Sequence, residues 1–193
     1  MTSWITRLTQ KIESWASKTK LGYWITSHYY QDVIQKEVDL AAVTATDHIL
    51  FIGGGICPCS AILLHRTTGA KVTVIDHDMS CISKAQQVIK RLNLNEYVHV
   101  LHQDGGDANL ALSNYSIIHF ALQVSPLEHV FSQMITRATP GTKLLVRRPK
   151  KRLNKIYSQL SHSLPDGCNY ITHKRARNIG KTLLYIKKEG VLV

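Results

Sequence analysis

The sequence predicts an α/β protein whose open, mostly parallel sheet carries helices on both faces and ends in an antiparallel strand pair. After residue 46, short apolar runs alternate with helical stretches, which is typical of parallel sheets, and no helical stretch separates the last two runs. The 193 residues, 44% hydrophobic and 19% charged, suit one globular core. We therefore expect one domain over residues 46–193, preceded by a helical N-terminal extension over residues 1–45.

The N-terminal extension differs from the rest of the chain because its apolar residues recur at helical spacing. Residues 4–15 indicate one amphipathic helix, and residues 29–42 indicate a second. Residues 20–24 lie between them and include Gly22, so we interpret this segment as a connection.

Seven apolar runs after residue 46 are predicted strands: His48–Ile52, Lys71–Ile75, Val98–His102, Ser116–Leu122, Lys143–Arg147, Tyr170–His173 and Thr182–Ile186. Four stretches between them are predicted helices: Pro58–Arg66, Ser80–Leu92, Leu127–Arg137 and Arg152–Ser161. Pro58 suits a first helical turn, where its missing N–H leaves no bond unmade.

The N-terminus, the lengths of the apolar runs and the cysteines indicate in which cell compartment the protein is expected. The N-terminus lacks the pattern of a secretory signal, and no apolar run approaches the ~18 residues of a membrane span. The four cysteines are unevenly placed, and Cys57-Pro58-Cys59 has no second Cys/His pair at the spacing of a zinc site. We therefore expect a cytoplasmic protein with reduced thiols, no metal and no membrane partner.

The most informative segment is a buried apolar strand that runs into Gly53-Gly54-Gly55 and then into a helix. Glycines let a ligand approach the backbone closely, and the N-terminus of the following helix offers free N–H groups. The pattern indicates a nucleotide-like ligand, although an ordinary tight turn has the same pattern.

Two acids at predicted strand ends indicate the same ligand. Asp76 lies 23 residues after Gly53, where a carboxylate can accept hydrogen bonds from both ribose hydroxyls. Asp104 follows the third strand, within reach of an adenine amino group at the same sheet edge. We therefore expect an adenosine-containing cofactor. Its predicted binding residues are Gly53, Gly54, Gly55, Asp76, His77, Asp104, Gly105 and Ala121.

Position 58 helps to choose between adenosine cofactors. The dinucleotide fingerprint G-x-G-x-x-G requires glycine or alanine there, whereas this chain has Pro58. S-adenosylmethionine has no pyrophosphate to be held, so its site tolerates another residue at this position. The cofactor that we predict is S-adenosylmethionine rather than NAD.

The element order, the glycine turn, both acids and the closing strand pair resemble a class I S-adenosylmethionine-dependent methyltransferase. Within that superfamily, the segment Phe51–Ser60 is similar to the cofactor-binding domain of nicotianamine synthase-like proteins, as are Tyr29-Tyr30 upstream and Lys143–Arg148 downstream. The resemblance implies a Rossmann-like sheet with S-adenosylmethionine as cofactor. It also implies two alternative activities, which are methylation of a small molecule and the aminocarboxypropyl transfer of nicotianamine synthases.

Candidate catalytic residues follow from the chemistry of a sulfonium electrophile, which needs an aligned nucleophile and a base where a proton must leave. The candidates are Tyr30 and Glu37 on the second N-terminal helix, and His119 or Gln123 near the end of the fourth strand, each with a structural role as the alternative. Glu37 aligns with a glutamate of the related enzymes. Arg147 and Arg148 are expected to bind an acceptor carboxylate.

The positive charge is concentrated in the C-terminal part of the chain. The net charge is +11, and residues 143–188 hold 13 Lys and Arg against one acid, Asp166. This composition favours an anionic small-molecule acceptor or RNA, and a solvated surface has the same pattern. No RNA-binding motif with interleaved aromatics is present, so a non-catalytic RNA- or protein-binding module is the weaker alternative.

Other reaction classes lack support because their motifs are missing. The chain has no Gly-x-Ser-x-Gly, Walker A or His-Glu-x-x-His arrangement, and Ala121-Leu122-Gln123-Val124 is not the Asn/Asp-Pro-Pro-Tyr element of DNA-amine methyltransferases. We therefore expect an S-adenosylmethionine-dependent transferase, in first place a small-molecule methyltransferase, with residues 1–45 as a lid that excludes water.

Overall fold

The computed structural model describes residues 20–160 and 168–189, so the predicted helix over residues 4–15 lies outside the described residues. The first described helix, α1, spans Lys20–Ala41. The prediction of a connection at residues 20–24 is therefore wrong. One glycine within a helix costs only about 1 kcal/mol, and burial of Val33, Ile34 and Ala41 stabilises the same helix further along.

The remaining elements follow the predicted order with ends that shift by up to three residues. The strands are β1 (His48–Ile52), β2 (Lys71–Asp76), β3 (Val98–His102), β4 (Ile117–Phe120), β5 (Lys143–Pro149), β6 (Asn169–Thr172) and β7 (Ile179–Ile186). The other α-helices are α2 (Cys59–Thr68), α3 (Met79–Arg91) and α4 (Leu127–Arg137).

The seven strands form one sheet in the order β3-β2-β1-β4-β5-β7-β6. Strands β1 to β5 pair in parallel, and β7 lies antiparallel between β5 and β6. The predicted fold class is confirmed. The strand order reverses direction between β1 and β4, so the carboxyl ends of these strands meet at the crevice where ligands bind in open α/β sheets.

Helices cover both faces of the sheet because side chains alternate between the faces along each strand. On one face, Phe51, Val74 and Leu145 pack with apolar residues of α1, α2 and α3. On the other face, apolar residues of the strands pack against Leu127, Val130, Phe131, Met134 and Ile135 of α4. Within the described parts of the chain, no helix has the length and apolar character needed to span a membrane.

The predicted helix over Arg152–Ser161 is wrong for the residues that the structure describes. A short 3₁₀ turn at Lys151–Leu153 is followed by irregular backbone up to residue 160. Leu153, Tyr157 and Leu160 have helical spacing and are buried. The N–H of Leu127 donates to Ser158 Oγ at 2.9 Å, so this segment packs against the start of α4 as an irregular loop.

Candidate active site

The glycine turn leaves β1 at the crevice and has a backbone shape that side chains oppose. Gly53 and Gly55 have φ angles of +85° and +62°, in the left-handed region that favours glycine. A Cβ on Gly54 would lie 2.2 Å from Cγ1 of Val74, so the turn packs directly on β2. Glycine therefore suits the turn for two reasons, a left-handed backbone at Gly53 and Gly55 and the close approach of β2 at Gly54.

Asp76 ties the glycine turn to the end of β2. Its Oδ2 accepts a hydrogen bond from the Gly55 N–H at 2.8 Å, and its Oδ1 accepts one from the Asp78 N–H at 3.0 Å. The side chain is 11% exposed. A carboxylate offers about four lone-pair positions, so Asp76 keeps acceptor capacity beyond these two bonds. His77 is exposed beside it, with Nδ1 3.7 Å from Asp76 Oδ1.

The other predicted cofactor residues lie at the same sheet edge. Asp104 follows β3, which is the neighbour of β2, and its exposed carboxylate accepts a hydrogen bond from the Gly106 N–H at 2.8 Å. Gly105 is buried, and a Cβ on it would lie 2.9 Å from a methyl group of Ile52. Ala121 follows β4, and a Cβ on Gly53 would lie 3.3 Å from the Cβ of Ala121. The topology thus brings the predicted residues to one edge.

A second group of polar side chains lies inside the domain and forms what we call the buried polar cluster. Its members come from α1, α2, β4, β5, β7 and the residue after β6: Glu37, Ser60, His119, Arg147, Thr182 and His173. All of them are at most 7% exposed.

Glu37 is the centre of the buried polar cluster. Its Oε1 accepts hydrogen bonds from Arg147 Nε at 2.8 Å and from the Thr182 hydroxyl at 2.6 Å. Its Oε2 accepts from Arg147 Nη2 at 2.7 Å and from His119 Nε2 at 3.1 Å. Burial alone would raise the pKa of Glu37, but the charges and hydrogen bonds of Arg147 and His119 hold it well below its usual value. Glu37 is therefore an ionised carboxylate with every oxygen engaged twice.

Arg147 links the buried polar cluster to the segment behind the glycine turn. Besides its bidentate contact with Glu37, its Nη1 donates to Ser60 Oγ at 2.9 Å, in the first turn of α2. The Tyr30 ring lies 5.7 Å from its guanidinium carbon, at cation–π distance. The sequence led us to expect that Arg147 binds an acceptor carboxylate, but in the structure its guanidinium is already paired with Glu37. Arg148 instead donates to the Gln159 side chain at 2.9 Å.

The two histidines of the buried polar cluster are neutral. Burial lowers the pKa of His119 and that of His173 below the usual value of 6.5. His119 donates from Nε2 to the Glu37 carboxylate, and Thr182 spends its only proton on Glu37, so His173 donates from Nε2 to the Thr182 oxygen at 2.8 Å. The Nδ1 atoms of both rings are buried acceptors without a hydrogen-bond donor among the described residues.

From the sequence we selected Glu37, Tyr30 and His119. In the structure Glu37 and Tyr30 contact Arg147, and His119 contacts Glu37. Ser60, Thr182 and His173 were missed. Thr182 had a detectable signal, because it is polar and is the one residue among the buried positions Thr182–Tyr185 of β7 that lacks a large apolar side chain. Ser60 and His173 had none, since their neighbours come from distant parts of the chain. The described residues contain no cluster of three or more side chains suited to a metal ion.

Two curated proteins that are similar in sequence to this chain share one name. The chain is 26% identical to an L-histidine 2-aminobutanoyltransferase of Yersinia pestis over 131 residues, which are 67% of this chain and 47% of that protein. It is 33% identical to a protein of the same name from Pseudomonas aeruginosa over 57 residues, 30% of this chain and 22% of that protein. The chain thus spans less than half the length of these curated relatives. No protein-family model matches it.

Solved structures resemble the whole domain. A mutant of the nicotianamine synthase MtNAS in complex with S-adenosylmethionine superposes with a TM-score of 0.75 at 18% identity, over 93% of this chain and 72% of that one. An RNA methyltransferase from Salinibacter ruber in complex with S-adenosyl-L-homocysteine superposes with a TM-score of 0.65 at 19% identity, over 83% of this chain and 94% of that one. The chain has the Rossmann-like fold of class I S-adenosylmethionine-dependent methyltransferases. The resemblance to nicotianamine synthase-like proteins is confirmed at the level of that fold.

Proposed function

We propose that this protein is an S-adenosylmethionine-dependent transferase that acts on a small-molecule acceptor. The observation that carries the proposal is the 93% coverage by an S-adenosylmethionine-bound nicotianamine synthase, together with the Gly55–Asp76 contact at the crevice of the sheet. The Gly55–Asp76 contact lies at the edge where open α/β sheets bind nucleotide-like ligands.

The residues at this edge suit an adenosine cofactor. Asp76 has lone pairs left for ribose hydroxyls after its two backbone contacts. The exposed carboxylate of Asp104 is available to an adenine amino group. The glycine turn packs closely on the residues after β4, because a Cβ on Gly53 would lie 3.3 Å from Ala121 Cβ. When bound, S-adenosylmethionine supplies an electrophilic carbon next to its sulfonium.

The hydrogen bonds of the buried polar cluster divide the roles of the candidate catalytic residues. Glu37 is a poor proton acceptor because its pKa is held low and its oxygens each accept two hydrogen bonds. We therefore assign it as a positioning residue that fixes the tautomer of His119 and the fork of Arg147. His119 has an Nδ1 without a hydrogen-bond partner among the described residues, so it is the better candidate for taking up a proton; because its ring is completely buried, this role requires the acceptor amine to enter the buried polar cluster. Tyr30 lies over Arg147 and is half-buried, which suits the orientation of an acceptor.

Two groups can be transferred from S-adenosylmethionine, and the comparisons favour one of them. Methyl transfer, the first expectation from the sequence, has support from the methyltransferase fold. Aminobutanoyl transfer corresponds to the aminocarboxypropyl transfer that the sequence indicated as the alternative. It has support from the name shared by both curated relatives and from the nicotianamine synthase neighbour. We take aminobutanoyl transfer as the favoured candidate and methyl transfer as its alternative.

A two-stage experiment tests the proposal. Calorimetric titration of the purified chain with S-adenosylmethionine and S-adenosylhomocysteine is expected to show saturable binding. Incubation with a panel of amino-acid acceptors, followed by chromatography, then identifies the by-product. Methylthioadenosine indicates aminobutanoyl transfer, and S-adenosylhomocysteine indicates methyl transfer. Folded protein that binds neither ligand would rule out the transferase.

A further inference from the structure

A tight proline turn joins the glycine turn to α2 and brings two cysteines together. The Cys59 N–H donates to the Cys57 carbonyl at 2.7 Å, and Pro58 between them has φ −76° and ψ 54°. This geometry is that of an inverse γ-turn, the three-residue turn with a hydrogen bond from residue i+2 to residue i. Cys57 and Cys59 are 5% and 3% exposed, and their Sγ atoms lie 3.0 Å apart.

The turn prepares these two sulfurs for bond formation. A disulfide bond is about 2.0 Å long, so the sulfurs need to move together by roughly 1 Å. The ring of Pro58 fixes one backbone dihedral between the cysteines, and the hydrogen bond closes the turn. The entropy that opposes ring closure in a flexible chain has therefore been lost when the domain folds.

The other two cysteines are placed differently. Burial and the nearby carboxylates of Asp76 and Asp78 raise the pKa of Cys81 to about 12, and its Sγ donates to Asp78 at 3.5 Å. Burial also raises the pKa of Cys168. The thiolate is the reactive form of cysteine, so these two thiols react slowly and serve as internal references.

We propose that Cys57 and Cys59 form a redox-active dithiol that a small peroxide converts to an intramolecular disulfide. One thiol attacks hydrogen peroxide and becomes a sulfenic acid, with release of one water. The second thiol then displaces the hydroxyl group, which leaves with a proton as a second water. The two thiols lose two electrons and two protons, and the peroxide is reduced to two waters. This site goes beyond the transferase proposed above and does not rest on it.

The burial of the pair favours a small oxidant over a bulky one. Gly55 and Ile56, just before the pair, are half-buried, so the thiols lie a short way below the surface. Hydrogen peroxide is close to water in size. A reductant of low molecular weight, such as dithiothreitol, can reverse the reaction by thiol–disulfide exchange.

The test uses the full chain, reduced and then exposed to hydrogen peroxide. The chain is then unfolded in urea so that buried thiols also react, the remaining thiols are alkylated, and peptides are analysed by mass spectrometry. We expect the peptide with Cys57 and Cys59 to lose two hydrogens and to escape alkylation, while Cys81 and Cys168 are alkylated. Dithiothreitol is expected to restore alkylation at both positions. The proposal is wrong if Cys57 and Cys59 stay as alkylatable as Cys81, or if they are oxidised to sulfinic acid that dithiothreitol does not reverse.

Variants assign the bond to the pair. Cys57→Ser and, independently, Cys59→Ser are expected to abolish the reversible loss of two hydrogens, because each removes one partner. Cys81→Ser is the matched control, another buried cysteine, and is expected to behave like the wild type. Reversible oxidation that persists in both single variants would overturn the assignment. The wild-type measurement decides the question even if a variant fails to fold.

Discussion

Two carboxylates, Glu37 in the buried polar cluster and Asp76 at the glycine turn, differ in how their oxygens are used. Glu37 is completely buried and accepts four hydrogen bonds from side chains of the buried polar cluster. Asp76 is 11% exposed and accepts two hydrogen bonds from backbone N–H groups. Glu37 has no capacity left for a ligand, whereas Asp76 has. The difference indicates that Glu37 holds the domain together and that Asp76 is available for binding.

The two carboxylates are nevertheless mechanically connected. Glu37 pairs with Arg147, which donates to Ser60 at the start of α2, and the glycine turn tied to Asp76 leads into that helix. A change at Glu37 can therefore reach the cofactor edge through packing. Stability and ligand affinity must be measured together to separate the two roles.

The largest expected effect is on stability, from Glu37→Gln. This variant keeps the shape of the side chain but leaves the Arg147 guanidinium buried without a negative partner. Loss of one partner of a buried ion pair typically costs about 3–5 kcal/mol. We expect urea unfolding to show a decrease of this size in the free energy of unfolding.

The double variant Glu37→Gln with Arg147→Met is the control for that interpretation. It removes the unpaired charge and replaces it with an apolar side chain of similar length. Replacement of a whole buried ion pair is often neutral or stabilising, so we expect it to recover much of the lost stability. A double variant that is as unstable as the sum of its single variants would show that charge pairing is not the cause.

The next effect is on ligand affinity, from Asp76→Asn. One oxygen remains to accept the Gly55 N–H, so the fold should persist at the expense of the Asp78 N–H contact, but the negative charge that we propose for binding the ribose hydroxyls is lost. Hydrogen bonds to charged groups contribute about 1.5–3 kcal/mol. We expect the Kd for S-adenosylmethionine to rise roughly 10- to 100-fold in calorimetric titration.

Asp78→Asn is the matched control for Asp76→Asn. Asp78 lies two residues further on and caps α3 by accepting the Ser80 N–H at 2.9 Å. Asparagine is an equally good N-cap, so stability and cofactor affinity should both stay close to wild type. Equal losses of affinity in the two variants would contradict a specific role for Asp76.

The two regions also differ in how well the sequence predicted them. Asp76 and the glycines were found because Asp76 ends β2 and the glycines directly follow β1, and a strand end is a local signal. Glu37 and His119 were selected one at a time, but their contact across 82 positions was not predictable. Register and strand order decide such pairings, and the sequence carries no local record of them. The helix expected over residues 152–161 failed for the same reason, since Ser158 contacts α4.

A smaller effect is expected from Gly54→Ala, which probes the packing of the glycine turn on β2. The new Cβ would lie 2.2 Å from Val74 Cγ1, and valine is stiff, so the turn or the strand must shift. Overpacking of this kind costs about 1–3 kcal/mol. Chemical denaturation measures the loss. In a Val74→Ala background the same substitution should cost less than about 0.5 kcal/mol, and an undiminished cost would locate the clash elsewhere.

The mildest test is the pH dependence of stability, which separates the histidines of the buried polar cluster from its glutamate. His119 and His173 have pKa values lowered from 6.5 in the folded state, so unfolding takes up protons as the pH falls below about 6.5. Glu37 has a pKa lowered from 4.5, so unfolding takes up a further proton only below about 4.5. Each group reduces the free energy of unfolding by at most about 1.4 kcal/mol per pH unit in its window.

The stability that each group contributes is therefore fully present at pH values above its unfolded-state pKa. It is lost as the pH falls toward the folded-state pKa. Urea unfolding of the wild type between pH 8 and pH 4 is expected to show a decline that starts near 6.5 and steepens below about 4.5. Glu37→Gln should make the decline below about 4.5 less steep and keep the first decline, whereas His173→Asn should weaken the first and keep the second. The lowered pKa values of Asp32, Asp47 and Asp78 leave a residual acid decline in every variant. A Glu37→Gln curve parallel to wild type below pH 4.5 would mean that Glu37 has the same pKa in the folded and unfolded chains, and the buried ion pair with Arg147 would then contribute nothing to the acid stability.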